Sequence, residues 1–237
     1  MFIEGAGMSA RLADVPVLAL NCQATGPNPK KGHLLEMGWL SMQARKAADI
    51  ASLQPHSSLI SLPDGIMIPK QVSRVTGICE EDLTRAASPG AVWSQVVMEA
   101  TRISPQKSDA ACPTVIHFAR YEKPFLRHLH DQVSSDARFP LNIICSWEIV
   151  RRLLPQLPRR GLRAVSGYLG HSVPEKRRSA HHVMATAIIW SACIQILDEE
   201  YGIQDLGELK EWLARFEISK VRRKYPMDPS VRLAVPD

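Results

Sequence analysis

The sequence predicts an α/β fold, a mixed central sheet flanked by helices. Three observations predict it. The first quarter of the chain holds short apolar runs joined by links too brief for a crossover helix. From residue 114 onward, short apolar runs alternate with stretches of helical periodicity. Residues 179–202 then form one strong helix with apolar residues at helical spacing. With 237 residues, 45% hydrophobic and 22% charged, the chain suits one large domain with a buried core plus modest extensions. The expected division is an N-terminal extension at 1–13, the domain at 14–202, and a C-terminal helix with a basic tail at 203–237.

The elements follow in order. PVLALNCQ, residues 15–22, has the continuous apolar character of a buried strand, and TGPNPKKG supplies the Pro, Gly and Asn of a turn. LLEMGWLSMQ resumes as a second strand and SSLISL, residues 57–62, as a third, which makes an antiparallel meander. From residue 69 short helical pieces appear, and Ser88 or Pro89 opens a longer helix carrying Val92, Val96 and Val97. TVIHFA, residues 114–119, reads as a strand, and YEKPFLRHLHDQV as a helix through Phe125, Leu126 and Leu129. LNIICS is a further strand, WEIVRRLLPQL and RRGLRAVSGYLG further helices. SAHHVMATAIIWSACIQILDEEYG is a strong helix, apolar at Val183, Ala187, Trp190 and Ile194 and ended by Gly202, and LGELKEWLARF is a short one behind it. Trp93, Trp147 and Trp190 are expected in the core.

Composition excludes several classes. No apolar run approaches the roughly 20 residues that span a bilayer, and MFIEGAGMSARLADVP lacks the features of a signal peptide. A cytoplasmic protein without membrane contact is the expectation. Cys22, Cys79, Cys112, Cys145 and Cys193 are scattered without a C-x-x-C pair, so they read as reduced thiols, and His181-His182 has no cysteine at zinc-binding spacing. The net charge of +5 is uneven. Arg151, Arg152, Arg159, Arg160, Arg163, Lys176, Arg177 and Arg178 lie in one segment, and Lys220, Arg222, Arg223 and Lys224 in another. Such clusters suit a phosphate backbone or a solvated basic surface.

Five segments carry a sharper signal. They are Asn21-Cys22-Gln23-Ala24-Thr25-Gly26 with its G-x-N-P turn and L-L-E-M-G strand; VSRVTGICEEDL, residues 72–83; IHFARYEKPFL, residues 116–126; CSWEIVRRLLPQLPRRGLRAVSGYLG, residues 145–170; and AHHVMATA, residues 180–187. In that order they resemble the DEDDh 3′-5′ exonuclease family, the DnaQ-like and exonuclease-X-like proteins with an RNase H-like fold, over roughly residues 14–200. The family's motifs are D-x-E-T-T-G, H-N-x-x-F-D-x-x-F-L and H-x-x-x-x-D-A. The resemblance therefore implies Asn21, Gln23, Glu122, His181 and Thr186 as the active-site positions, with Tyr121-Glu122 where the family has Phe-Asp.

In the family, four carboxylates hold two divalent ions and the histidine takes a proton from water. Amides at Asn21 and Gln23 and a hydroxyl at Thr186 lower the site charge from about −4 to about −1. Each lost charge removes on the order of 8 kcal/mol of attraction for a divalent ion at about 4 Å and an effective dielectric near 20, before hydration offsets it. No metal is expected, at most one weak ion at Asn21, Gln23 and Glu122; Mg2+ or Mn2+ matters only if residual activity persists. His182 is expected to point away from the site. The implied function is a catalytically degenerate module that binds nucleic acid, DNA or RNA and preferably single-stranded, through Arg159, Arg160, Arg163, Lys176, Arg177 and Arg178, within a nucleic-acid-processing complex. The alternatives are a structural subunit that grips a protein partner, or a weak metal-dependent 3′-5′ exonuclease. The tail KVRRKYPMDPSVRLAVPD resembles a connector that leads into a repair endonuclease domain in some bacterial fusions.

Overall fold

Every residue of β1 (Val17–Ala24) is buried, because it is the central strand of a five-stranded sheet of order β3-β2-β1-β4-β5. A computed structural model of the protein describes residues 10–44, 47–104, 111–134 and 137–215. β2 (Leu34–Met42) runs antiparallel to β1 with Val17 opposite Met42 and Gln23 opposite Glu36, and β3 (His56–Leu59) runs antiparallel to β2. The short links thus form the expected meander. On the other side of β1, β4 (Cys112–Ile116) and β5 (Leu141–Cys145) are parallel, joined through crossover helices.

Alternation along β1 divides the core. Val17 and Ala19 face a layer that contains Trp190, Ile194 and Val150, whereas Leu18, Leu20 and Cys22 face Trp93, Val96, Phe125 and Leu126. The first layer is built on α7 (Ser179–Tyr201) and α5 (Ser146–Leu153), the second on α3 (Pro89–Ile103) and α4 (Ala119–Val133). The remaining helices are α1 (Ala47–Ala51), α2 (Lys70–Thr76), α6 (Leu162–Tyr168) and α8 (Leu206–Ala214). α7 is long and apolar enough to cross a membrane, but 67% of its most apolar stretch is buried inside the protein. Packing against the sheet accounts for its composition.

The start of α7 crosses β2 at Gly38, where a Cβ would come within 2.9 Å of Ser179. Two residues earlier on the same face, Glu36 is 1% exposed. Its Oε2 accepts from the Ser179 amide at 2.6 Å, and its Oε1 from Arg178 Nε at 2.9 Å. The carboxylate caps the positive end of the helix while a guanidinium neutralises it, so burial of this charge is compensated twice.

Several boundaries differ from expectation. β3 ends at Leu59 instead of 62 because Ile60 bridges to Ala87 and Pro63 follows. α5 stops at Leu153 because Pro155 lacks the N–H that would continue it. α4 begins at Ala119, immediately after Phe118, whose φ of 71° and ψ of 46° lie in the left-handed region. For a bulky residue that conformation costs about 1–3 kcal/mol. Trp93 and Trp190 are buried as expected; Trp147 is not a core residue, being half-buried and outside the hydrophobic clusters. The five cysteines are unpaired thiols, with Cys22, Cys112 and Cys193 buried. Residues 1–9 of the N-terminal extension, and residues 216–237 with Lys220, Arg222, Arg223 and Lys224, lie outside the described residues.

Candidate functional site

Three elements converge beyond the sheet's centre. β1 presents Asn21 and Gln23 on one face, the first turn of α4 brings Glu122, and α7 brings His182 and Thr186. Asn21 Nδ2 donates to Glu122 Oε1 at 2.5 Å, and the Cys22 amide donates to the same oxygen at 3.3 Å. Gln23 Nε2 donates to Asn21 Oδ1 at 2.9 Å and stands 3.5 Å from His182 Nδ1. Glu122, Asn21, Gln23 and His182 thus form one buried chain, with exposures of 2%, 8% and 9% for the first three.

Direction along this chain is set by the amides. An NH2 group that faces His182 Nδ1 makes that nitrogen the acceptor and leaves the proton on Nε2, the neutral tautomer. Burial holds the His182 pKa down at about 4, with the positive charges of Arg177, His181, Arg163 and His117 adding to it. Burial also pushes the Glu122 carboxyl well above the usual carboxylate range, against the opposing hydrogen bonds from the Cys22 amide and Asn21. Glu122 Oε2, His182 Nε2 and Thr186 Oγ1 are buried without a hydrogen-bond partner among the described residues.

His182, not His181, is the histidine in contact with this group, and His181 is exposed. Helix geometry explains the correction. Ser179–Tyr201 is one continuous α-helix, so His182 and Thr186, four apart, share a face, whereas His181 and Thr186, five apart, diverge by roughly 140°.

The donor set does not fit the pair of divalent ions implied by the sequence motifs. Asn21 Oδ1 and Glu122 Oε1, the oxygens a hard cation would need, already accept N–H bonds, and the single carboxyl is shifted toward its neutral form. Glu36, the next buried carboxylate, is committed to Arg178 and Ser179. Among the described residues, no group of three or more His, Cys, Asp or Glu side chains is arranged to hold a metal ion.

Four of the six expected nucleic-acid-binding cations are engaged within the fold. Arg178 pairs with Glu36 at 2.8 Å; Arg160 donates to the Pro155 carbonyl at 2.5 Å and the Leu154 carbonyl at 3.4 Å; Arg163 donates to the Val173 and Glu175 carbonyls; Lys176 Nζ donates to the Arg74 carbonyl at 2.8 Å. Among the described residues, the exposed side chains of Arg159 and Arg177 have no such partner. Burial raises the Tyr121 pKa and lowers that of His182, and Arg177 is close enough to oppose the first shift and add to the second. The segment that carries Arg159 is tied to the end of β4 by His117, whose Nε2 bonds the Arg160 carbonyl at 2.9 Å while Nδ1 faces Ser146 Oγ at 3.0 Å. Burial lowers the His117 pKa to about 4, against that carbonyl bond. Tyr121 Oη donates to the Gly26 carbonyl at 3.0 Å and fixes the turn after β1.

Sequence reasoning missed an aromatic pair at the same end of the sheet. Phe118 and Trp147 meet at 5.7 Å between ring centroids with an interplanar angle of 78°. Arg120 lies 4.6 Å over the Phe118 ring and Arg151 5.7 Å over the Trp147 ring. The available signal was Phe118 itself, standing where the resembled motif has Asn.

No family model matches the chain, and no curated protein matches it in sequence. Solved structures do match. E. coli exonuclease I in complex with a dT13 oligonucleotide superposes with a TM-score of 0.59 at 11% identity, over 84% of this chain and 43% of that one. The nuclease domain of 3′hExo, a DEDDh family member bound to rAMP, superposes with 0.57 at 13% identity, over 78% of this chain and 93% of that one. Exonuclease X in complex with 5′ overhanging duplex DNA gives 0.50 at 17%, over 78% and 93%. This chain spans 40–43% of the exonuclease I chains from E. coli that it matches.

Proposed function

We propose that this chain, whose fold is that of the DEDDh (DnaQ-type, RNase H-like) exonucleases, binds single-stranded DNA or RNA without cutting it, as a binding module of a nucleic-acid-processing assembly. The observation that carries this reading is the buried chain Glu122–Asn21–Gln23–His182. Where hydrolysis needs anionic oxygens around two cations, amide N–H groups occupy the acceptors, and a histidine acting as base has no metal-bound water to deprotonate. The same replacement removes negative charge from a groove that would otherwise repel phosphates. Arg159 and Arg177 remain as exposed cations beside it. Solved structures of the same fold bound to dT13, to rAMP and to duplex DNA lend support in kind.

The test is fluorescence anisotropy with a labelled single-stranded oligonucleotide in EDTA. Binding without divalent ions is expected, with log K falling linearly against log salt. Arg159→Ala and Arg177→Ala should each lower the slope by about 0.7–1, the contribution of one phosphate contact. Shortening of the strand in Mg2+ or Mn2+ that disappears in His181→Ala or His182→Ala would instead make the protein an exonuclease. Absence of nucleic-acid binding together with co-purification of a fixed protein partner would make it an interaction subunit.

A further inference from the structure

Phe118 and Trp147 follow the ends of adjacent parallel strands. Ile116 of β4 is the register partner of Cys145 of β5, and each aromatic stands two residues beyond, so the sheet itself sets the rings side by side. This is the carboxyl edge of the parallel strands, where open α/β sheets hold their ligands. Neither ring belongs to a hydrophobic cluster among the described residues, and both are half-buried. Phe118 holds a left-handed backbone that Asn or Gly would adopt with less strain, so the position retains an aromatic ring at a conformational cost without a core contact to justify it.

The surroundings are cationic. Arg120 is exposed above the Phe118 ring, and Arg120, Lys123 and Arg127, at i, i+3 and i+7, form an exposed row on α4 that Asp131 ends. Arg151 lies over Trp147 and is paired with Glu148 at 2.8 Å. Glu122, four residues after Phe118, joins this edge to the Asn21–Gln23 site, and the His117 bond to the Arg160 carbonyl brings the Arg159 segment beside it. Half-buried aromatic rings covered by guanidinium groups are the combination that takes an unpaired base and its phosphate with little dependence on sequence, once a guanidinium yields its place to the base.

We propose that Phe118 and Trp147, with Arg120 and Arg151, form a platform that stacks an unpaired base of a single strand whose phosphates pass the Asn21–Glu122 site. Arg120 covers the Phe118 ring until a base replaces it, and its guanidinium then turns to the adjoining phosphate. This rests on the nucleic-acid-binding reading and specifies what the site recognises: bases as well as backbone.

The test compares a 12-mer single strand with an abasic strand of equal length, by anisotropy in EDTA, for the full-length protein and for Phe118→Asn and Trp147→Leu. The unaltered protein is expected to bind the base-bearing strand about tenfold more tightly, the effect of one stacked base. Each variant should lose most of that preference while its affinity for the abasic strand tracks the unaltered protein. Phe118→Asn should at the same time raise the thermal midpoint, since Asn accepts the left-handed backbone, which separates loss of the platform from loss of the fold. If both variants keep the tenfold preference, or the unaltered protein has none, the platform is overturned and phosphate binding stands. If the unaltered protein binds neither strand, the platform and the reading beneath it both fall.

Discussion

Two buried carboxyl groups, Glu36 and Glu122, sit near the same end of the sheet with opposite solutions to burial. Glu36 is 1% exposed and has both oxygens occupied, one by the Arg178 guanidinium and the other by the amide at the start of α7. Glu122 is 2% exposed and meets a neutral carboxamide and one backbone amide on a single oxygen, while the other oxygen has no partner among the described residues. Gln23, the next member of the Glu122 chain, is the cross-strand partner of Glu36, so the contrast holds within one ladder. A carboxylate can stay charged in a protein interior when a cation is supplied. Where the fold supplies none, burial drives the group toward its neutral form, and the Glu122 carboxyl is held by amides alone.

The largest expected effect comes from filling that site with carboxylates. Asn21→Asp, Gln23→Glu, Glu122→Asp and Thr186→Asp together would crowd four carboxylates into a space that now holds one. The quadruple variant in EDTA should be destabilised by more than about 5 kcal/mol, given roughly 4 kcal/mol of repulsion per close charge pair at an effective dielectric near 20. Millimolar Mg2+ or Mn2+ should restore its thermal midpoint by binding the folded state, while neither ion moves the midpoint of the unaltered protein. A variant as stable in EDTA as the parent would mean that the four positions do not face one another. Next in size is Glu36→Gln. It leaves the Arg178 cation without its counter-charge and weakens the cap of α7, at an expected cost of about 3 kcal/mol in urea denaturation. A loss below about 1 kcal/mol would show that solvent already screens Arg178, and the contrast between the two carboxyls would shrink accordingly.

The same contrast explains what was legible in the sequence. Order and type of the strands and principal helices could be read because continuous apolar runs, turn residues and helical spacing all agreed, as from PVLALNCQ through its Pro-Gly-Asn turn. The positions of Asn21, Gln23, Glu122 and Thr186 followed from the motifs, and the fold brings Asn21, Gln23 and Glu122 into one hydrogen-bonded chain. His182 could not be chosen over His181 from motif spacing, because the choice depends on the helix starting at Ser179, before both histidines. The cations were overcounted for a related reason. A run of arginines says nothing of the carbonyls exposed at nearby loop and helix ends, and Arg160, Arg163 and Lys176 found those carbonyls first. Trp147 looked like core because aromatic residues usually are; its half-buried place follows from α5 starting directly at the end of β5.

The smallest effect is also the most discriminating, because the buried groups oppose one another in pH. His117 and His182, with folded pKa values of about 4, stay neutral where the unfolded chain protonates near 6.5. Between those values the unfolded state binds more protons, so both histidines make stability rise with pH, each by at most about 1.4 kcal/mol per unit. Glu122 acts in reverse: its folded pKa is raised, so above about 4.5 the folded state holds the proton that the unfolded state releases, and stability falls as pH rises toward the folded value. Near pH 5 the two histidines outweigh the single carboxyl, so from these three groups stability is greater at the higher pH. Glu122→Gln should change stability near pH 5 by less than about 1 kcal/mol, since it keeps an acceptor for Asn21 and the neutral form that burial already favours. It should nevertheless steepen the slope by removing the opposing group. Urea denaturation across that range reads both quantities, and an unchanged slope would mean that Glu122 is ionised in the folded protein.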